Sequence, residues 1–187
     1  MFMRYVFGAI GIVVLIILII ILLMGGDRNS SGRKTESIVL TNYINSGSEV
    51  ILTTYGPVVG NESRQSVSLT VTPQNRFFAL LQTYELTPVE TQTFDNNLTA
   101  YSYFMHSLSG LGFSNQRTVK NQDQMGACPF GHVTVYQLIN QGKEVLNTWS
   151  TNCSAKDGTF AGNAASVARL FQAQYPNYSD LTQSTSF

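Results

Sequence analysis

Hydrophobic positions fall into two regimes along this chain. From Tyr5 to Met24 every residue is apolar or glycine. A run of about 20 such residues has the length to cross a hydrocarbon core of about 30 Å as one helix. After it, the apolar positions become periodic. Val67, Leu69 and Val71 alternate with Ser66, Ser68, Thr70 and Thr72, the pattern of a half-buried strand over Gln65–Thr72. Pro73-Gln74-Asn75 supplies a turn, and Arg76–Tyr84 supplies an antiparallel partner. Glu49–Tyr55 is β-branched and apolar and ends at Gly56-Pro57, a further strand. His132–Ile139 and Glu144–Ser150 predict a second hairpin around Asn140-Gln141-Gly142.

Helical spacing appears in three places. Ile38–Ile44 is read as a short helix stopped by Asn45-Ser46-Gly47. Phe94, Leu98, Tyr101, Met105 and Leu108 predict a helix that starts near Thr93 or Asp95 and stops at Gly110 or Gly112. Glu85 and Glu90, just before it, flank a segment read as a Pro-containing loop. The last helix runs from about Phe160 to Gln174, with Ala164, Val167, Phe171 and Tyr175 on one stripe, and Pro176 ends it. Hairpins with intervening helices give the expected fold class: α+β, an N-terminal transmembrane helix followed by one small domain with antiparallel hairpins and two to three helices. The expected division is 1–24 anchor, 25–36 flexible Gly/Ser-rich tether and 37–187 folded domain.

A cleaved signal peptide is the rival reading of the first run. Its core is usually 7–15 residues and ends at a small-x-small site. This run is longer, and Met24-Gly25-Gly26-Asp27 offers no such site. The expected partner of residues 5–24 is therefore the lipid bilayer. Two signals conflict on orientation. Arg4 precedes the run, whereas Arg28, Arg33 and Lys34 follow it, which by the positive-inside rule favours a cytoplasmic domain. The Ser, Thr, Asn, Gln and Tyr richness of the remainder and its cysteine pair favour the outside, and a cell-membrane, single-pass protein with its C-terminal domain outside the cytoplasm is the expectation.

Beyond Met24 ten Lys/Arg stand against eleven Asp/Glu, which excludes the basic face that nucleic-acid binding needs. Cys128 and Cys153, the two cysteines of the chain, are equidistant from a hairpin loop over residues 139–142. They are expected to bridge at its open end. No metal and no cofactor is expected, since two Cys and two His make a poor zinc set. No Gly-x-Ser-x-Gly, phosphate loop, His-Glu-x-x-His or dinucleotide fingerprint occurs. His106 and His132 are the natural general-base candidates in an enzyme, yet neither has an evident partner in sequence. Gly110-Leu-Gly-Phe113 matches a PDZ carboxylate loop in letters but follows a helix, where an αL stop explains it. No catalytic residue is assigned. Tyr101, Tyr103 and Phe104 cannot share one narrow helical stripe, which leaves two readings: a candidate binding surface at these three residues, or, favoured, a wide buried face with one amphipathic Tyr at its rim.

Cys128-Pro129-Phe130-Gly131, Val133-Thr134-Val135-Tyr136, Trp149-Ser150-Thr151-Asn152-Cys153, Gly158-Thr159-Phe160 and Leu170-Phe171 with Gln174 follow one another in an order that resembles small single-span exported proteins of Saccharibacteria-type bacteria. The resemblance covers the anchor and about the last third of the chain. It implies export and lends no catalytic residue. Together these readings favour a membrane-anchored, non-catalytic envelope domain that binds a protein, a peptide or a wall component. A cell-surface hydrolase is the alternative.

The anchor is checked by fractionation. The full chain stays with membranes after carbonate washing, whereas a chain starting at Lys34 is soluble. A product processed near Gly25 and free in the medium would overturn the anchor.

Overall fold

Alternation and pairing build one six-stranded antiparallel sheet in the computed structural model, which describes residues 38–120, 123–124, 126–154, 157–183 and 185. The chain divides into two compact units, Met1–Glu36 and Ser37–Phe187, and every described residue belongs to the second. The apolar run 5–24 and the tether 25–36 lie outside the described residues. Among the described residues no helix is long and apolar enough to cross a membrane.

The strands are β1 (Ser48–Tyr55), β2 (Gln65–Val71), β3 (Asn75–Gln82), β4 (Thr87–Asp95), β5 (Val133–Asn140) and β6 (Lys143–Thr151), in the spatial order β4-β3-β2-β1-β5-β6. Helix α1 (Leu98–Gly110) connects the β4 edge to β5; α2 (Ala164–Gln172) and the short α3 (Tyr178–Leu181) follow β6. A 3₁₀ turn, Leu40–Tyr43, stands where the sequence suggests a short helix.

Register decides which face each residue takes. Leu52 pairs with Leu69 on one side and Tyr136 on the other, and Val50 pairs with Val71 and Leu138. These positions, with Phe78 and Leu80 of β3, form the face on which the helices lie. Helix α1 meets it with Tyr101, Phe104, Met105 and Leu108, the i, i+3, i+4, i+7 stripe. Helix α2 contributes Val167 and Phe171. Asn97 caps α1 by accepting from the Ala100 N–H (2.9 Å), and Asn163 caps α2 in the same way at Ser166 (3.0 Å). Helix α1 ends in a Schellman motif: Gly112 takes φ +75°, the Phe113 N–H returns to the Leu108 carbonyl, and Phe113 is buried. The Gly110-Leu-Gly-Phe113 letters therefore do the work of a helix stop.

Two tyrosine hydroxyls in the core have partners, whereas the buried Ser66 and Thr148 hydroxyls have none among the described residues. The Tyr101 hydroxyl lies 3.0 Å from the Ser48 carbonyl and 2.9 Å from the Ser48 hydroxyl, which itself donates to the Tyr43 carbonyl (2.7 Å). The Tyr175 hydroxyl donates to the Thr70 carbonyl (2.9 Å). Tyr136 stacks on Phe160 with centroids 3.9 Å apart.

Three expectations are corrected. The helix expected from Thr93 or Asp95 begins only at Leu98, because Thr87–Asp95 is the edge strand β4. Phe94 belongs to that strand's inner face, 6.0 Å from the Tyr175 ring. Pro88 is tolerated there because an edge strand pairs on one side only. The last helix starts at Ala164, since Phe160 forms an isolated bridge with Gln116 and packs on Tyr136. The second hairpin turns between Gln141 and Gly142, and a bulge between Leu138 and Ile139 shifts its register further, so Val133 faces Thr151.

The buried tyrosines make the fold sensitive to alkali. Burial pushes the Tyr101 hydroxyl up to about 12, opposed by its Ser48 bond, and burial likewise raises Tyr136 and Tyr175. In the unfolded chain a tyrosine ionises near about 10. The folded state thus binds these protons more tightly. The stability they carry is fully present below about pH 10 and is lost as pH rises toward about 12. Urea midpoints should fall through that window together with the appearance of tyrosinate absorbance. Tyr101→Phe should cost about 1–2 kcal/mol at neutral pH and flatten the alkaline decline. Full ionisation of all tyrosines near pH 10 with the fold intact would contradict this.

Candidate functional site

Three connections meet at the end of the sheet where β1 finishes. They are the β1–β2 loop, the β3–β4 turn and the segment entering β5. The first carries Pro57-Val58-Val59-Gly60, with both valines exposed. It is tied at two points: the Val58 N–H donates to the Pro129 carbonyl (2.8 Å), and the Tyr84 hydroxyl donates to the Val59 carbonyl (3.0 Å). The β3–β4 turn holds Thr83 and Leu86 at φ +67° and +57°, a left-handed backbone rare outside glycine. Its Tyr84 N–H donates to Asn61 Oδ1 (3.0 Å), and the Thr83 N–H to the Arg64 carbonyl (3.0 Å).

Arg64 lies beneath this end, only 3% exposed. Its guanidinium sits 4.1 Å from the Tyr84 ring centroid and 5.6 Å from that of Tyr55. A cation over an aromatic face, shielded from water, is worth about 0.5–2 kcal/mol. Burial raises the Tyr55 hydroxyl, and the Arg64 charge partly offsets that rise. On the turn itself, the Thr83 hydroxyl bond holds the exposed Glu85 carboxyl below its usual range.

The segment entering β5 is closed covalently. Cys128 and Cys153 are disulfide-bonded, with Cα atoms 5.7 Å apart. The sequence places them symmetrically about the hairpin loop, whereas the strand register would set residue 128 three positions further from its mate. The tight turn Cys128–Gly131, closed by the Gly131 N–H to Cys128 carbonyl bond (3.2 Å), takes up that difference. A Cβ on Gly131 would come within 2.6 Å of Cys128 Sγ and clash with Asn152 Oδ1, so a larger residue there requires the disulfide and the Asn152 side chain to shift. Asn152 Oδ1 in turn accepts from the His132 N–H (2.7 Å). At the apex stands Phe130, 94% exposed, the most exposed of the large hydrophobic side chains here. Behind it Cys128, Val133, Val135 and Trp149 form a second, smaller core on the sheet face away from the helices.

The residues proposed from sequence divide. Cys128 and Cys153 come together. Tyr101 and Phe104 do not contribute to a surface, because the α1 stripe is wide enough to bury both. Tyr103 alone of the three faces out, at 72% exposure. It lines a groove of about 440 Å³ with His106, Leu98, Ile44 and Thr41. His132 is half-buried beside the disulfide, at the far end of the sheet from the Ser48 end. Another cavity, of about 320 Å³, is lined by Lys120, Asp157 and Trp149 among others. Among the described residues no cluster of three or more His, Cys, Asp and Glu could hold a metal ion.

Val58, Val59 and Phe130 carried a legible signal that periodicity alone passes over. Each is a large apolar residue between turn formers, Pro57 and Gly60 in one case, Pro129 and Gly131 in the other. A loop cannot carry such a side chain into the core without burying its own backbone polar groups. Comparison with family models, with curated proteins and with solved structures finds no match to this chain.

Proposed function

We propose that this chain is a membrane-anchored, extracytoplasmic binding protein, non-catalytic, whose recognition surface is the apolar tip formed by Val58, Val59, Tyr84 and Phe130. One observation carries the reading. Four exposed apolar side chains converge on loops that a disulfide, a buried Arg–Tyr stack and two inter-loop hydrogen bonds hold in place. Exposed apolar groups are a solubility cost unless a partner covers them. Holding them rigid reduces the entropy lost when the partner arrives. A protein or peptide presenting an apolar side chain is the class of ligand that such a surface fits. Phe130 supplies the central anchor, as aromatic residues do in energetic hot spots. The 5–24 run supports the bilayer as the other partner, and the disulfide supports an oxidising compartment.

Site-specific photo-crosslinking of the full chain in its membrane tests this reading. Benzoyl-phenylalanine at position 130 or 58 should trap one adduct of defined mass, and the same probe at the exposed positions 103 and 165 should not. Val59→Asp should reduce the adduct at least tenfold with an unchanged melting temperature. Equal adducts from all four positions would overturn the tip. A C-terminal epitope should be detected on intact cells, and detection only after permeabilisation would overturn the orientation. Cys153→Ser should lower stability by about 3–4 kcal/mol, on the loop-entropy estimate for a separation of 25 residues, and weaken the adduct in parallel.

A further inference from the structure

We infer that two copies of this chain join edge to edge through β4, forming one continuous antiparallel sheet of two domains. The inference is independent of the tip and rests on the contrast between the two sheet edges. At the β6 edge, the chain folds back over the strand. The Phe160 N–H donates to the Trp149 carbonyl (2.9 Å), and the Trp149 N–H donates to Thr159 Oγ1 (3.1 Å). Gly158 packs so closely there that a Cβ would lie 2.7 Å from Ser150 Cα. At the β4 edge no described segment pairs with the strand's outer side. Of the nine residues Thr87–Asp95, the first three are exposed, and from Val89 exposed and half-buried positions alternate to Asp95. Natural edges of that length are blunted by lysine, proline or bulges. Here Pro88 and the bulge opposite Leu80/Leu81 guard only the first part, and no lysine or arginine occurs in the strand.

Of the registers centred on Glu90, Thr91 and Gln92, one makes the strand complementary to itself. Across an antiparallel pair, opposite residues share a face, so a one-residue slip would set helix-side against open-side positions. Centred on Glu90, the pair sets two carboxylates directly opposite, which is destabilising. Centred on Gln92, it sets Val89 against Asp95 and Glu90 against Phe94. Centred on Thr91, it sets Thr91 against Thr91 and each Glu90 against Gln92 of the other copy, with the bulged Val89 at the end of the regular pairing. The Gln92 amide already donates to Glu90 within one chain (3.2 Å), so the same chemistry is available across the joint. The result is an isologous two-fold interface, the commonest closed form for a homo-oligomer.

Cysteine crosslinking of the full chain in membranes reads this register directly. Thr91→Cys lies on the two-fold axis, with opposite Cβ atoms about 4.5–5.5 Å apart. Mild oxidation should give a reductant-sensitive dimer band. Thr87→Cys should give none, because in this register two copies of residue 87 stand about 27 Å apart. In the Thr91→Cys background, Gln92→Glu should cut the dimer yield at least tenfold by opposing carboxylates, and adding Glu90→Gln should restore it. A melting temperature equal to that of the parent establishes that each variant is folded. A dimer held by the membrane segments alone would crosslink without regard to position in β4. Equal yields at 87 and 91, no band at 91 in folded protein, or no response to Gln92→Glu would each overturn the inference. For the unaltered chain in detergent, a monomer mass across a concentration series would do the same.

Discussion

Strand β1 has a neighbour on each side, and the rest of the domain is arranged around that fact. It pairs with β2 over residues 50–55 and with β5 over residues 48–55. The chain is thereby divided in two. Everything from β2 to β4 is built outward on one side as a meander, and β5 and β6 are built on the other. To reach β5 after laying down β4 at the far edge, the chain must pass over β3, β2 and β1, and α1 begins that crossing. Its buried stripe rests on the β1 positions Val50 and Leu52 and their partners. Its Tyr101 hydroxyl is anchored at Ser48, the first residue of β1. One central strand therefore sets the register of both halves, the seat of the crossing helix and the depth of the core.

Much of this was legible because the chemistry was local. Alternation in Gln65–Val71, the Gln141-Gly142 turn and the i, i+3, i+4, i+7 stripe of α1 each carry their structure in adjacent residues. The cysteine pair was legible through symmetry about a turn, even though the register is offset and a second turn compensates. Strand β4 was not legible. Its polar Thr-Gln-Thr alternation looks like a loop, because an edge strand buries little, and Phe94 fits a helical spacing with Leu98 by coincidence. Tyr101 and Phe104 could be placed only as alternatives, on a surface or within a wide buried face. Periodicity gives the direction of a helix's buried face but not its width, and the width depends on how much sheet lies beneath. The turn formers around Val58, Val59 and Phe130 mark each as a loop residue, but their meeting at one tip depends on contacts between loops distant in sequence, such as Val58 with Pro129.

The two faces of the sheet are treated unequally, and this explains why the disulfide is where it is. The helix side is filled by α1, α2 and α3. Among the described residues the other side is covered mainly by the segment around Arg117–Gly131, which has no helix or strand of its own there. Val133, Val135 and Trp149 point into that cover. A cover without internal backbone ladders is held by its ends. At one end Arg117 donates to the Gly158 and Asp157 carbonyls (2.7 and 3.0 Å). At the other, the Cys128–Cys153 bond ties it to the strand end of β6. Without that tie, the loop-closure entropy of the segment would weigh against four buried side chains and little else.

The same economy bears on the tip. Phe130 is not an exposed residue that a mobile loop happens to display. It stands between Cys128 and a tightly packed glycine, on a turn whose position is set by the covalent bond and by Asn152. A fold that needed only to seal its small second core could have ended this turn in a polar residue, as its other exposed turns at Gln74-Asn75 and Gln141-Gly142 do. Placing an aromatic ring at the apex adds nothing to the core behind it, since the ring is almost wholly exposed. On the proposed function, what that ring contributes lies outside the domain, in the apolar partner that would cover it. Structural stability at this corner and presentation of Phe130 are thus two consequences of one cross-link.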